Sequence, residues 1–142
     1  MLTNTKVTIY NRYQDKESDG MSYYRTVIPA AHWEDNISVS DRKTSHKFQG
    51  ETSVCIPRSV IDGMSKKFVR PDVFSRLPPA EREKSWTIAC GSIVLQGVIT
   101  EEIPSRGHRE FIANHPDARE VTSIDTCFYG SYEMQHLEVD LK

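Results

Sequence analysis

The residues of this sequence able to do chemistry are few and scattered: three cysteines (Cys55, Cys90, Cys127) and five histidines (His32, His46, His108, His115, His136). Cys127, His136 and Asp125 are the right types for a thiol nucleophile, in which an imidazole deprotonates the cysteine and a carboxylate orients the ring. Neither Cys127 nor His136 stands in a nucleophile motif, and no G-x-S-x-G elbow occurs. His32 with Glu34 and His136 with Glu138 are spaced i, i+2. On a strand that spacing puts both members of a pair on one face, so two such pairs could meet at a metal ion. Pairs of this kind arise readily by chance, and the cysteines lie far apart rather than in C-x2-C pairs that aim two thiolates at one ion. The expectation is therefore no metal, no cofactor, no catalytic residue, and a chain that is not an enzyme. Each cysteine sits in an apolar, strand-like context (S-V-C-I-P, T-I-A-C-G, D-T-C-F-Y), which predicts buried free thiols behaving as small hydrophobes.

Ser40–Gly50 (S-D-R-K-T-S-H-K-F-Q-G) sets Arg42, Lys43 and Lys47 against one acid, Asp41. It reads as an exposed loop between strands, and its cations are the candidates for touching a phosphate backbone or a partner. Tyr23, Tyr24, Trp33 and Phe48 could stack bases, but base-stacking platforms sit in basic grooves. Here core packing is the expectation. No G-x-x-x-x-G-K-[ST] is present, and Gly91 and Gly97 flank a strand instead of opening a helix, so no phosphate cradle is expected.

The elements that must position these residues are short strands. Ser85–Lys142 organises the chain: apolar runs at Trp86–Cys90 and Ile93–Thr100, then a hairpin turning at Gly130. In its last arm Leu137, Val139 and Leu141 alternate with Glu138 and Asp140, the pattern of a half-buried antiparallel strand. Lys6–Tyr13 alternates too, with Val7 and Ile9 on one face and Thr8 and Tyr10 on the other. Gln14–Gly20 is a charged turn. Ser22–Asp35 is a strand that must bend, bulge or run along an edge at Pro29, which cannot donate to a ladder. Ile37–Val39 starts another strand, and Glu51–Pro57 a further one that stops at its proline. Pro71 opens a short helix, Ala80–Lys84 forms at most another turn, and Arg106–Ala113 is a short helix. These elements predict one domain over residues 1–142, mainly β: a small antiparallel β-barrel or sandwich with one or two short helices and a long loop.

The chain has 142 residues, 37% of them apolar and 27% charged, enough for one modest core. A net charge of −2 argues against a dedicated nucleic-acid binder. No apolar run approaches the length of a membrane span, and the first residues lack the basic-then-apolar layout of a signal peptide, so synthesis in a cytosol is expected.

Several stretches, in order, carry a resemblance. They are V-T-I-Y-N-R-Y (Val7–Tyr13), T-V-I (Thr26–Ile28) with Trp33, V-C-I-P (Val54–Pro57), F-V-R-P-D-V-F (Phe68–Phe74), G-S-I-V-L-Q-G (Gly91–Gly97) and the closing V-T-S-I-D…H-L-E-V-D-L-K. Together they resemble a family of small proteins of Firmicutes prophages and tailed phages, with Ser92 where that family's block has Asp. The closing layout is similar to the head–tail joining (head-closure, stopper) proteins of long-tailed phages. The resemblance implies a structural virion protein of the neck, made in the host cytoplasm. It would form a homohexameric ring between portal and adaptor proteins on the head side and tail-completion or tail-tube proteins on the other. Packaged DNA would touch it transiently and without sequence preference, with Arg42, Lys43 and Lys47 on a loop facing the lumen or a neighbouring ring. A tail-terminator ring would show a more substantial helix. A monomeric barrel binding nucleic acid or a small ligand would show salt-dependent binding.

Overall fold

The computed structural model describes residues 2–14, 20–39 and 48–142, with the backbone alone for 36–39 and 48–51. Six strands close into a barrel in the order β1-β2-β3-β8-β7-β6, and every pairing in it is antiparallel. They are β1 (Thr5–Gln14), β2 (Met21–Val39), β3 (Phe48–Pro57), β6 (Ile93–Gln96), β7 (Arg119–Cys127) and β8 (His136–Leu141). Two-residue strands β4 (Lys67–Phe68) and β5 (Ser85–Trp86) make a separate parallel pair. Four short helices decorate the barrel: α1 (Arg58–Asp62), α2 (Pro71–Phe74), α3 (Pro79–Glu83) and α4 (His108–Asn114). None is long and apolar enough to cross a membrane.

The main core fills the barrel with inward-facing residues: Val7 and Ile9 from β1, Ile28, Ala31 and Trp33 from β2, Val54 and Ile56 from β3. Val94, Val121 and the β8 triplet Leu137, Val139 and Leu141 complete the wall, and Trp86 and Ile88 plug one side. A second cluster lies outside the wall, where Tyr10, Ile93 and Leu95 point outward and are covered by Ile103 and Phe111. Phe111 of α4 meets the Tyr10 ring edge-on at 5.0 Å. β1 is thus buried on both faces over Val7–Tyr10.

Pro29 does what its chemistry requires. Thr5 pairs with Ala31 and Val7 with Ile28, so β2 carries one extra residue across the proline, a β-bulge. Other stretches depart from the sequence expectation. Ile37–Val39 is no new strand but the continuation of β2, and 48–50, expected in the loop, begin β3. Of the Trp86–Cys90 run only Ser85–Trp86 is strand, and it pairs parallel with β4. Beyond it the backbone of Thr87 is held by the side chain of Asn11, and the Ala89 N–H by the hydroxyl of Ser92. The next run ends at Gln96, because Gly97 takes a φ of 89° that turns the chain out of the ladder. The helices outnumber the one or two expected, since four- and five-residue helices are too short to show a period. Two of them open on Pro71 and Pro79 at the first helical position, the placement that suits proline.

Candidate functional site

Two features stand apart from the packed barrel. The first is an arm. β1 follows β2 no further than Thr5↔Ala31, and β3 meets β8 only from Thr52↔Leu141 onward. Between those limits and the tip, Asn36↔Glu51, Ile37↔Gly50, Ser38↔Gln49 and Val39↔Phe48 pair as a two-stranded ribbon with no third strand among the described residues. Its root is fixed by Thr52, whose hydroxyl donates to Asp35 Oδ1 at 2.7 Å. Arg42, Lys43 and Lys47, the cations singled out in the sequence, lie outside the described residues, as does His46; they belong to the stretch that joins the two strands of this arm.

The second feature is the outer face of β3, β8 and β7. Because Leu137, Val139 and Leu141 face the core, His136, Glu138 and Asp140 face out, as the alternation predicts. Register then decides their neighbours. His136 is directly opposite Cys127, Glu138 is opposite Asp125 on one side and Cys55 on the other, and Asp140 is opposite Ser123 and Ser53. Sγ of Cys127, a ring nitrogen of His136 and a carboxylate oxygen of Glu138 all lie within 4.8 Å of one another. His136 Nδ1 is 2.8 Å from the Met134 carbonyl and Nε2 is 4.0 Å from Glu138 Oε2.

This arrangement corrects one expectation and locates two constellations weighed in the sequence. The cysteines are not buried: Cys90 is exposed, and Cys55 and Cys127 are half-buried on outward-facing positions between inward-facing neighbours. The two His/Glu pairs do not meet, although both face outward. His32 pairs with Cys55 and Glu138 with Cys55, so β3 separates them by two strand spacings, about 10 Å. The thiol–imidazole contact considered for Cys127 and His136 is present, but the ring is held by a backbone carbonyl and faces Glu138, while Asp125 is opposite Glu138. The grouping that sequence reasoning missed, Cys127 with both members of the His136/Glu138 pair, required the hairpin register, which the eight residues between the strands conceal.

Electrostatics on this face are those of a wall of acids. Burial, then Glu138 and Cys127, then Glu34 and Asp140 push the Cys55 thiol above its usual range, so it is held protonated. The connection from β7 to β8 is stapled to α1. Arg58 stacks on Phe128 (4.9 Å) and Tyr132 (5.7 Å) and bonds to the Gln135 side chain, and the Tyr132 hydroxyl donates to Asp62 at 2.6 Å. Even so, Tyr129, Tyr132 and Met134 leave large apolar surfaces exposed there. The aromatics considered for base stacking pack instead: Trp33 is in the core, Tyr24 meets Phe74 edge-on and Tyr23 stacks on His108. The Phe48 side chain lies outside what is described.

Residues 2–142 match a protein family described as a family of unknown function, DUF6751. The chain belongs to the DUF6751 family. That match spans the barrel, the arm and the closing hairpin together. No curated protein and no solved structure matches the chain.

Proposed function

We propose that this DUF6751 protein is a structural subunit of a phage neck: a head-closure, or stopper, protein forming a homohexameric ring between the portal–adaptor complex and the tail. The observation that carries the reading is the β2–β3 arm. A closed barrel has no strand edge to offer a neighbour. The arm supplies two, from 36–39 and from 48–51, and an isolated two-stranded ribbon is marginal in water until something packs on it. A ring of identical subunits needs two different, complementary surfaces on each subunit. The arm is one, and the exposed Tyr129, Tyr132 and Met134 on the β7–β8 connection are the other.

The charge distribution suits a channel. The chain carries a net charge of −2, yet Arg42, Lys43 and Lys47 cluster on the stretch that closes the arm. A ring lined by such tips meets DNA through phosphates, weakly and without reading sequence, which restrains packaged DNA and still lets it pass. Among the described residues the longest helix, α4, has seven residues, which favours a stopper over a tail terminator with its more substantial helix.

The test is the location of the protein in purified particles, by imaging necks or probing particles with an antibody. Several copies between portal and tail tube are the expected result. Absence from particles overturns the reading, and salt-sensitive nucleic-acid binding by a monomer would then replace it.

A further inference from the structure

We propose that the outer face of the last hairpin is a zinc site, with Zn2+ held by the Cys127 thiolate, the Nε2 of His136 and the Glu138 carboxylate, and with Cys55 on its open side.

The register builds the site. Residues directly opposite on antiparallel strands hold their Cβ atoms about 5 Å apart, so Cys127 and His136 reach each other without strain. Glu138 is two residues on from His136 and leans from the same face. The three donor atoms already lie within 4.8 Å of one another, and His136 Nε2 and Glu138 Oε2 are 4.0 Å apart. Tetrahedral zinc, with Zn–N and Zn–O near 2.0–2.2 Å and Zn–S near 2.3 Å, sets its donors about 3.3–3.6 Å apart. The side chains therefore close by about 1 Å, within the reach of their own torsions and with the backbone unmoved.

The histidine is oriented for a metal. A carbonyl can only accept, so the 2.8 Å contact between Nδ1 and the Met134 oxygen places the ring proton on Nδ1. Nε2 is left with a free lone pair, 4.0 Å from Glu138 Oε2. Metal-bound histidines are commonly held in this way, with the other ring N–H donating to a carbonyl. Cys55 stands directly opposite Glu138 on β3, on the same outer face. The donor set of thiolate, imidazole and carboxylate suits Zn2+, whereas Ca2+ and Mg2+ want oxygens throughout. On binding, the Cys127 thiol releases its proton to solvent.

The ion would tie β7 to β8 at the root of the 128–135 connection. The Met134 carbonyl that orients His136 belongs to that connection, so coordination and the shape of its exposed apolar surface are linked. The inference stands on the isolated chain and does not depend on the neck reading.

The experiment is a Co2+ titration, with Zn2+ competition, of the full chain stripped of metal and kept reduced with a phosphine. One ion per chain is expected, with the intense visible bands of tetrahedral cobalt and a thiolate-to-cobalt charge-transfer band, both erased by Zn2+. Cys127→Ser should abolish the charge-transfer band, and His136→Ala should weaken Zn2+ binding by about 100-fold or more. Cys90→Ser should leave both unchanged, since the Cys90 thiol bonds to the Thr122 carbonyl away from the cluster. Should Cys127→Ser fail to fold, the native chain decides: a melting temperature raised by Zn2+ but not by Mg2+ supports the site. A weak octahedral spectrum, or binding that survives both Cys127→Ser and His136→Ala, overturns it.

Discussion

The side chain of Asn11 grips the backbone of Thr87 at both polar groups: its amide nitrogen donates to the Thr87 carbonyl, and its oxygen accepts from the Thr87 N–H at 3.3 Å. β1 runs out of β6 partners after Tyr10↔Ile93, so one amide side chain stands in for the next rung of the ladder. Both residues are buried. Asn4 makes the same double contact with Trp33 at the other end of β1, but Asn4 itself is exposed.

The two grips should therefore differ in value. Asn11→Ala strands two buried backbone groups, each costing about 1–3 kcal/mol, so a loss of about 2–6 kcal/mol is expected in urea unfolding. Asn4→Ala, where water can replace the amide, should cost about 1 kcal/mol or less. Equal losses would show that water reaches Thr87 as well.

Tyr10 gives an alkaline signature. Its hydroxyl donates to the Glu101 carbonyl at 2.6 Å, and burial lifts its pKa to about 12 from 10.0, with Arg25 opposing and Glu102 and Glu101 adding to the rise. A folded pKa above the unfolded one means the folded state resists losing the proton. The contribution is whole below pH 10.0 and disappears as pH rises through about 12. It amounts to about 2 kcal/mol. Tyr10→Phe should flatten the fall of stability between those two pH values, measured by denaturant unfolding at each pH. An unchanged slope would show that Tyr10 is not the group responsible.

The β8 alternation was fully legible in the sequence, and a contrast between two neighbours tests it. Leu137→Ala removes a side chain with no exposure and should cost about 2–5 kcal/mol. Glu138→Ala, facing outward, should change stability by about 0.5 kcal/mol or less in metal-free protein. A large loss from Glu138→Ala would mean that its carboxylate is a structural partner without any ion.

Periodicity revealed which side of the last strand faces inward, and Pro29 revealed that β2 could not stay regular there, because both are local properties of a few residues. What stayed hidden depends on who pairs with whom. Tyr10 could be placed opposite Val7 and Ile9, but nothing local says that Phe111 will cover it. Cys55 and Cys127 looked buried because their flanks are apolar, yet it is those flanks that take the inward positions. The Cys127–His136–Glu138 group exists only once β7 and β8 are aligned, and the intervening 128–135 stretch, with its 3-10 turn at Tyr132–Met134, gives no sequence rule for that alignment.

The arm can be cut from the fold without cutting into the core. Asn36 and Glu51 are register partners, so replacing residues 37–50 by Asn-Gly closes the ribbon with a two-residue turn that matches strand twist. Among the described residues, none of either apolar cluster is removed. The shortened chain should therefore unfold within about 1 kcal/mol of the full one, as surface changes away from packed features do. In a phage carrying only the shortened gene, the neck reading expects particles that fill with DNA and then lose it, or fail to join tails. The milder change of Arg42, Lys43 and Lys47 to Glu should keep the ring and lose DNA retention alone. Normal yields of infectious particles from the shortened gene would remove the arm from the mechanism, and the neck reading would lose the observation that carries it.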